Sequence, residues 1–152
     1  MENQTLAQWR NVLDVNLTGV FNCMVHELRA MKQHGGSIIN TASIMGLQGL
    51  AGAAAYSAAK HAVIGLTRSA ALEYGKYGVR INTLCPGFVE TPMIAGADSD
   101  FDPQTLAVLH KTIAQRRLGD PCEQAQMVLW LASAQSSYAT GGHFVVDGGA
   151  TA

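Results

Sequence analysis

Charge is scarce in this sequence: 14% of its 152 residues are Asp, Glu, Lys or Arg, and 10 basic residues nearly balance 11 acidic ones, for a formal net charge of −1. With no cluster of Lys or Arg there is no long-range field to draw phosphate backbones or anionic lipid, so nucleic acid and membrane are not expected partners. Long hydrophobic runs are missing too. No segment approaches the roughly 18 uninterrupted apolar residues of a spanning helix, and the opening Met1-Glu2-Asn3-Gln4 is polar and acidic rather than the basic start of an export signal. Cys23, Cys85 and Cys122 are odd in number and show no C-x-x-C spacing, which argues against both a disulfide framework and a zinc site. The expectation is a reducing, cytoplasmic compartment and no metal.

What the chain has instead is apolar bulk, 48% of its residues, enough for the core of one domain over 1–152. Between Leu6 and Gln33, Trp9, Val12, Leu13, Leu17, Val20, Phe21, Met24, Val25, Leu28 and Met31 recur at three- and four-residue steps, the stripe of a long amphipathic helix. Gly35-Gly36 stops it, and Ser37 to Thr41 reads as a short buried strand. Gly46, Gly49 and Gly52 then open a second long helix, about Ala54 to Tyr77, and read as a flexible rim. Val79 to Leu84 is a second strand, broken at Pro86-Gly87. Helical patterns at about Gln104–Gln115 and Glu123–Ala134 precede a third strand, Phe144 to Val146. Strands alternating with long helices predict an α/β fold, a parallel sheet between helix layers. Three strands are few for a doubly wound sheet, and the chain opens on a helix.

Tyr56 and Lys60 lie four residues apart near the start of the second helix, one turn apart on one face. A lysine ammonium beside a phenol favours the phenolate and makes the pair an acid/base device; on its own the spacing proves little, being that of an ordinary helix with an exposed Lys and a half-buried Tyr. Ser43 follows the first strand, at the strand end where parallel sheets gather ligand-binding residues, and its hydroxyl suits a carbonyl oxygen. Otherwise it is a turn residue bonding local backbone. Asn16 sits among Val12, Leu13, Leu17 and Val20, so it is expected to turn inward, where an amide needs partners; otherwise it is a solvent-facing or locally bonded amide.

Taken in order, N-x(26)-S-x(12)-Y-x(3)-K over Asn16, Ser43, Tyr56 and Lys60 resembles the active-site tetrad of the short-chain dehydrogenase/reductase family. The surrounding text agrees: Asn11 to Gly19, Ile38 to Ser43, Ala55 to Lys60, Val79 to Met93 and Gly141 to Gly149 are similar to family motifs, so nearly the whole chain is covered. The resemblance implies a partial Rossmann-like sheet and a reaction interconverting a carbonyl and a secondary alcohol by hydride transfer with NAD or NADP, the choice not being readable. It gives Tyr56 the role of general acid or base, Lys60 its support and the nicotinamide ribose, Ser43 the substrate oxygen, and Asn16 a water. Pro86, Gly87, Val89 and Thr91 match the turn that positions the nicotinamide. Met45, Phe88 and Met93, with Ser43, are the expected substrate neighbours, within a substrate-binding stretch at 88–117.

The family's glycine-rich pyrophosphate turn, T-G-x-x-x-G-x-G, has no counterpart here; Gly46, Gly49 and Gly52 are spaced three and three. The whole first βαβαβ half is lacking. The remnant is expected to show an unpaired edge on its first strand and exposed apolar surface on its long helices. It is therefore expected to be part of a longer enzyme or, alternatively, a non-catalytic subunit that pairs with another chain. Family members commonly pack the two long helices against a twin, which implies a homo-oligomer acting on a small-molecule carbonyl or alcohol.

Overall fold

The computed structural model describes residues 1–95 and 102–152, the side chains of Met93, Ala95 and Pro103 excepted. Helix α1 (Leu6–Leu13) starts on a reciprocal cap: the Gln8 amide donates to Thr5 Oγ1 at 3.2 Å, and the Thr5 amide to Gln8 Oε1 at 2.9 Å. The expected single stripe is interrupted. A π-helical turn occupies Asp14–Thr18, where the Gly19 amide bonds back to Asp14, before α2 (Gly19–Met31) resumes the regular helix. Apolar spacing of three and four survives one inserted residue, so periodicity does not disclose the turn; π turns recur at functional sites.

Strand β1 (Gly36–Thr41) leads through a 3₁₀ turn at Ile44–Gly46 into α3 (Ala54–Tyr74), and β2 (Val79–Pro86) returns beside β1. Helices α4 (Pro92–Ala95), α5 (Pro103–Thr112) and α6 (Pro121–Ala132) follow, then β3 (His143–Val146). Both α5 and α6 begin earlier than their apolar patterns, because Asp102 and Asp120 cap them and Pro103 and Pro121 occupy their first turn.

The sheet runs β1-β2-β3, all parallel, with Gly36 opposite Val79, Thr41 opposite Leu84, and Thr83 to Pro86 opposite His143 to Val146. Strand β2 lies in the middle and is buried along most of its length, as parallel strands covered on both faces are. Its odd-numbered side chains meet α2 and α3: Val79 and Ile81 pack with Met24, Leu28, Ile38, Ala70 and Ala71, and Cys85 with Ala42, Val63 and Ile64. Its even-numbered side chains meet the other layer. Arg80 donates to the carbonyls of Leu131 and Ser133 and to Ser136 Oγ, at 2.9, 3.1 and 2.8 Å, closing the end of α6; Asn82 bonds Ala139 O at 2.7 Å and accepts from the Gly142 amide at 3.0 Å.

Strand β1 is an edge of this sheet, and Val15 in the π turn, Phe21 on α2 and Leu72 on α3 stand exposed. Among the described residues no helix is long and apolar enough to cross a membrane, and no group of three His, Cys, Asp or Glu could hold a metal ion.

Candidate active site

The carboxyl-terminal ends of β1 and β2 and the start of α3 bring Ser43, Tyr56 and Lys60 to one end of the sheet. Lys60 is buried, and its ammonium reaches over α3 to the last residue of β1, donating to Thr41 O at 3.1 Å. From there Nζ stands 5.4 Å from the centre of the Tyr56 ring, within the reach of a cation–π contact. Burial pulls the Lys60 pKa below its ordinary value, against a smaller opposing effect of Cys85. The ammonium is thus held beside the ring at the expense of its hydration.

Ser43 is the half-buried residue before the 3₁₀ turn, and its Oγ accepts from the Met45 amide at 3.1 Å. That bond uses an acceptor site of the hydroxyl and leaves its proton free to donate. Met45 is buried behind it. The Cys85 thiol, fully buried at the end of β2, lies under this group: burial raises its pKa, while the Ser43 amide, Arg68 and Lys60 act in the opposite sense. The site floor is therefore a neutral thiol, a neighbour that the motif reading passed over.

Gly46 corrects another expectation. It is buried and closely packed, for a Cβ there would stand 2.8 Å from Lys60 O and 3.0 Å from Ile64 Cδ1, while Gly49 and Gly52 face open space. Only the latter two fit the description of a loose rim. Asn16 lies in the π turn, half buried as its neighbours predicted, and its Nδ2 donates to Val12 O at 3.1 Å. That bond serves a carbonyl where the helix bonding slips from i−4 to i−5.

The expected cofactor turn is a set of backbone contacts. Pro86 ends β2 opposite Val146; the Gly87 amide donates to Val146 O at 3.0 Å; Val89 bridges Gly119; and the Thr91 carbonyl accepts from Ile94 at 2.9 Å as α4 begins. Phe88 is half buried, with its carbonyl accepting from Gly119 at 2.9 Å. Of the remaining substrate candidates, the Met93 side chain lies outside the described residues, as do residues 96–101 of the 88–117 stretch.

These donors suit the nicotinamide half of a dinucleotide: an ammonium at the strand ends, a backbone turn beside it and a hydroxyl with a free proton. Among the described residues Gly46 offers no such cradle for a pyrophosphate, because a β-carbon there would strike Lys60.

A family model described as Enoyl-(Acyl carrier protein) reductase matches residues 1–151. The chain is 46% identical over 151 residues to cyclohexanol dehydrogenase of an Acinetobacter species, covering 99% of this chain and 57% of that protein. It is 45% identical to the 3-alpha-(or 20-beta)-hydroxysteroid dehydrogenase of Mycobacterium tuberculosis, covering 100% of this chain and 55% of the relative. The solved structure of levodione reductase superposes with a TM-score of 0.91 at 37% identity, over 97% of this chain and 59% of that one. The fold is a Rossmann-like parallel sheet, and the chain belongs to the short-chain dehydrogenase/reductase family. It spans just over half the length of the curated relatives it matches.

Proposed function

We propose that this chain carries the catalytic half of an NAD- or NADP-dependent oxidoreductase that interconverts a ring ketone and its secondary alcohol. The observation that carries the reading is the Lys60 ammonium, buried, tied to Thr41 O and set 5.4 Å from the Tyr56 ring. A bound nicotinamide supplies the hydride. Ser43 Oγ, with its proton free, holds the substrate oxygen; Tyr56 gives that oxygen a proton in reduction and takes it back in oxidation; Lys60 favours the phenolate left behind. Asn16 steadies the π turn facing α3 and anchors a water that links Lys60 to solvent. Pro86, Gly87, Val89 and Thr91 seat the nicotinamide, Met45, Phe88 and Met93 border the substrate, and the 88–117 stretch selects it. The ring is proposed because the relatives named above act, by their names, on cyclohexanol, a hydroxysteroid and levodione.

Residues 1–152 form part of one domain in this reading, working in the cytoplasm as a homo-oligomer through the long helices, with the pyrophosphate held by chain beyond these residues. The test is reduction of cyclic ketones with NADH or NADPH by the protein carrying its pyrophosphate-binding segment, followed as loss of nicotinamide absorbance. Tyr56→Phe should lower kcat by about 10²-fold or more; a Phe variant with the full rate would remove Tyr56 from the reaction. The open edge of β1 favours one alternative, a non-catalytic subunit that pairs with another chain, for which a partner binds without turnover.

A further inference from the structure

The turn that closes the chain is built around a single carboxylate. Asp147 Oδ1 accepts from the Gly149 amide at 2.9 Å, and Oδ2 from the Thr151 amide at 2.9 Å and the Thr151 hydroxyl at 2.7 Å. Burial pushes this carboxyl up, yet the Thr151 hydroxyl and the amides of Gly149, Thr151 and Ala150 outweigh it and hold the pKa below the ordinary aspartate value. The aspartate therefore stays ionised and bonded at neutral pH.

Two other segments rest against this turn. On one side is the expected cofactor turn: a Cβ on Gly87 would stand 2.6 Å from Asp147 Cβ and 2.7 Å from its Cα, and the Gly87 amide bonds Val146 O. Gln124 Nε2 bonds the same carbonyl at 3.0 Å. On the other side is the segment just after α5: the Gln115 amide donates to Gly148 O at 3.1 Å, and Cβ atoms on Gly148 and Gly149 would meet Ile113 Cγ2 at 3.0 Å and Ala114 Cβ at 2.8 Å. Close packing of this kind transmits a shift from one side to the other.

We infer that Asp147 is a positioning residue whose bonded turn sets the distance between the Pro86–Thr91 turn and the end of α5, and so the fit of cofactor and substrate together. The inference rests on the proposed function for its kinetic consequence. Ser43 stands on the turn after β1, and Tyr56 and Lys60 on α3, none of them in the turn that Asp147 holds or in the two segments packed against it. Loss of Asp147 therefore weakens binding and leaves the chemical step nearly intact.

Two measurements on Asp147→Ala test this. In steady-state kinetics the KM values for the nicotinamide and for the ketone should both rise about five-fold or more while kcat changes less than about two-fold, the pattern of lost uniform binding. In amide hydrogen exchange Gly87 and Gln115 should lose protection together while Ile38 and Ile81 keep theirs. A fall in kcat with unchanged KM would reduce Asp147 to general stability and overturn the inference, as would no kinetic change. If the parent protein turns over no ketone, the proposed function fails, and exchange decides alone: Gly87 and Gln115 unaffected by the substitution would overturn the coupling. Should Asp147→Ala not fold, Thr151→Ala removes one donor, keeps the carboxylate and is expected to move the same KM values by a smaller factor, with Thr151→Ser restoring them; unmoved values would again overturn it.

Discussion

Gly46 rests on the backbone of Lys60, so close that a β-carbon would stand 2.8 Å from the Lys60 carbonyl oxygen. This contact sets the 3₁₀ turn carrying Ser43 against the helix carrying Tyr56 and Lys60. Gly46→Ala is expected to cost about 1–3 kcal/mol in overpacking and to push the Ser43 hydroxyl away from the phenol. Urea unfolding should show the lost stability. In the folded fraction kcat should fall by more than KM rises, since the displaced groups are those proposed to work in the transition state.

Lys60 gives the protein a distinct alkaline response. Burial lowers its folded-state pKa below the ordinary value of about 10.5 that the unfolded chain keeps. Between those two values the unfolded state binds more protons, so the Lys60 contribution to stability rises with pH there. Below the folded-state pKa both states are protonated, and the cost of burying the ammonium is present in full. Comparing the unfolding free energies of the parent protein and Lys60→Met across this window should show the difference moving in favour of the parent as pH rises. A flat difference would mean that Lys60 keeps its ordinary proton affinity.

Arg80 joins the sheet to the layer opposite the site. Its three bonds to Leu131 O, Ser133 O and Ser136 Oγ close the end of α6. Arg80→Met should preserve the aliphatic packing and lose these charge-assisted bonds, costing about 1–3 kcal/mol. A lower urea midpoint with an unchanged slope would register it.

The 88–117 stretch should determine which carbonyl compound is accepted. Replacing it with the corresponding stretch of a relative should change the ranking of ketones by kcat/KM. An unchanged ranking would place selection elsewhere.

Much of the site was legible because it is written in side chains at fixed spacings. Tyr56 and Lys60 share a helix face by simple geometry, and Ser43 follows a strand whose β-branched residues mark it. Asn16 was readable as an inward amide, though not as the occupant of a π turn, since one inserted residue leaves an apolar stripe looking helical. The partner of Lys60 was hidden for a different cause. It is the carbonyl of Thr41, and every residue carries a carbonyl. Gly46 was misread beside Gly49 and Gly52 because a glycine needed for close approach and one in an open loop share a letter; only the position of Lys60 tells them apart. The starts of α5 and α6 were visible in Asp102-Pro103 and Asp120-Pro121, signals that outrank apolar period at a helix end.

Thr41, Ser43, Gly46, Tyr56, Lys60 and Cys85 all fall within one strand–helix–strand crossover, β1 to β2. Of the groups proposed to react, all but Asn16 thus sit in one continuous unit, closed at both ends by paired strands. The 88–117 stretch lies outside this crossover, so the segment proposed to select the substrate is separate in the chain from Ser43, Tyr56 and Lys60.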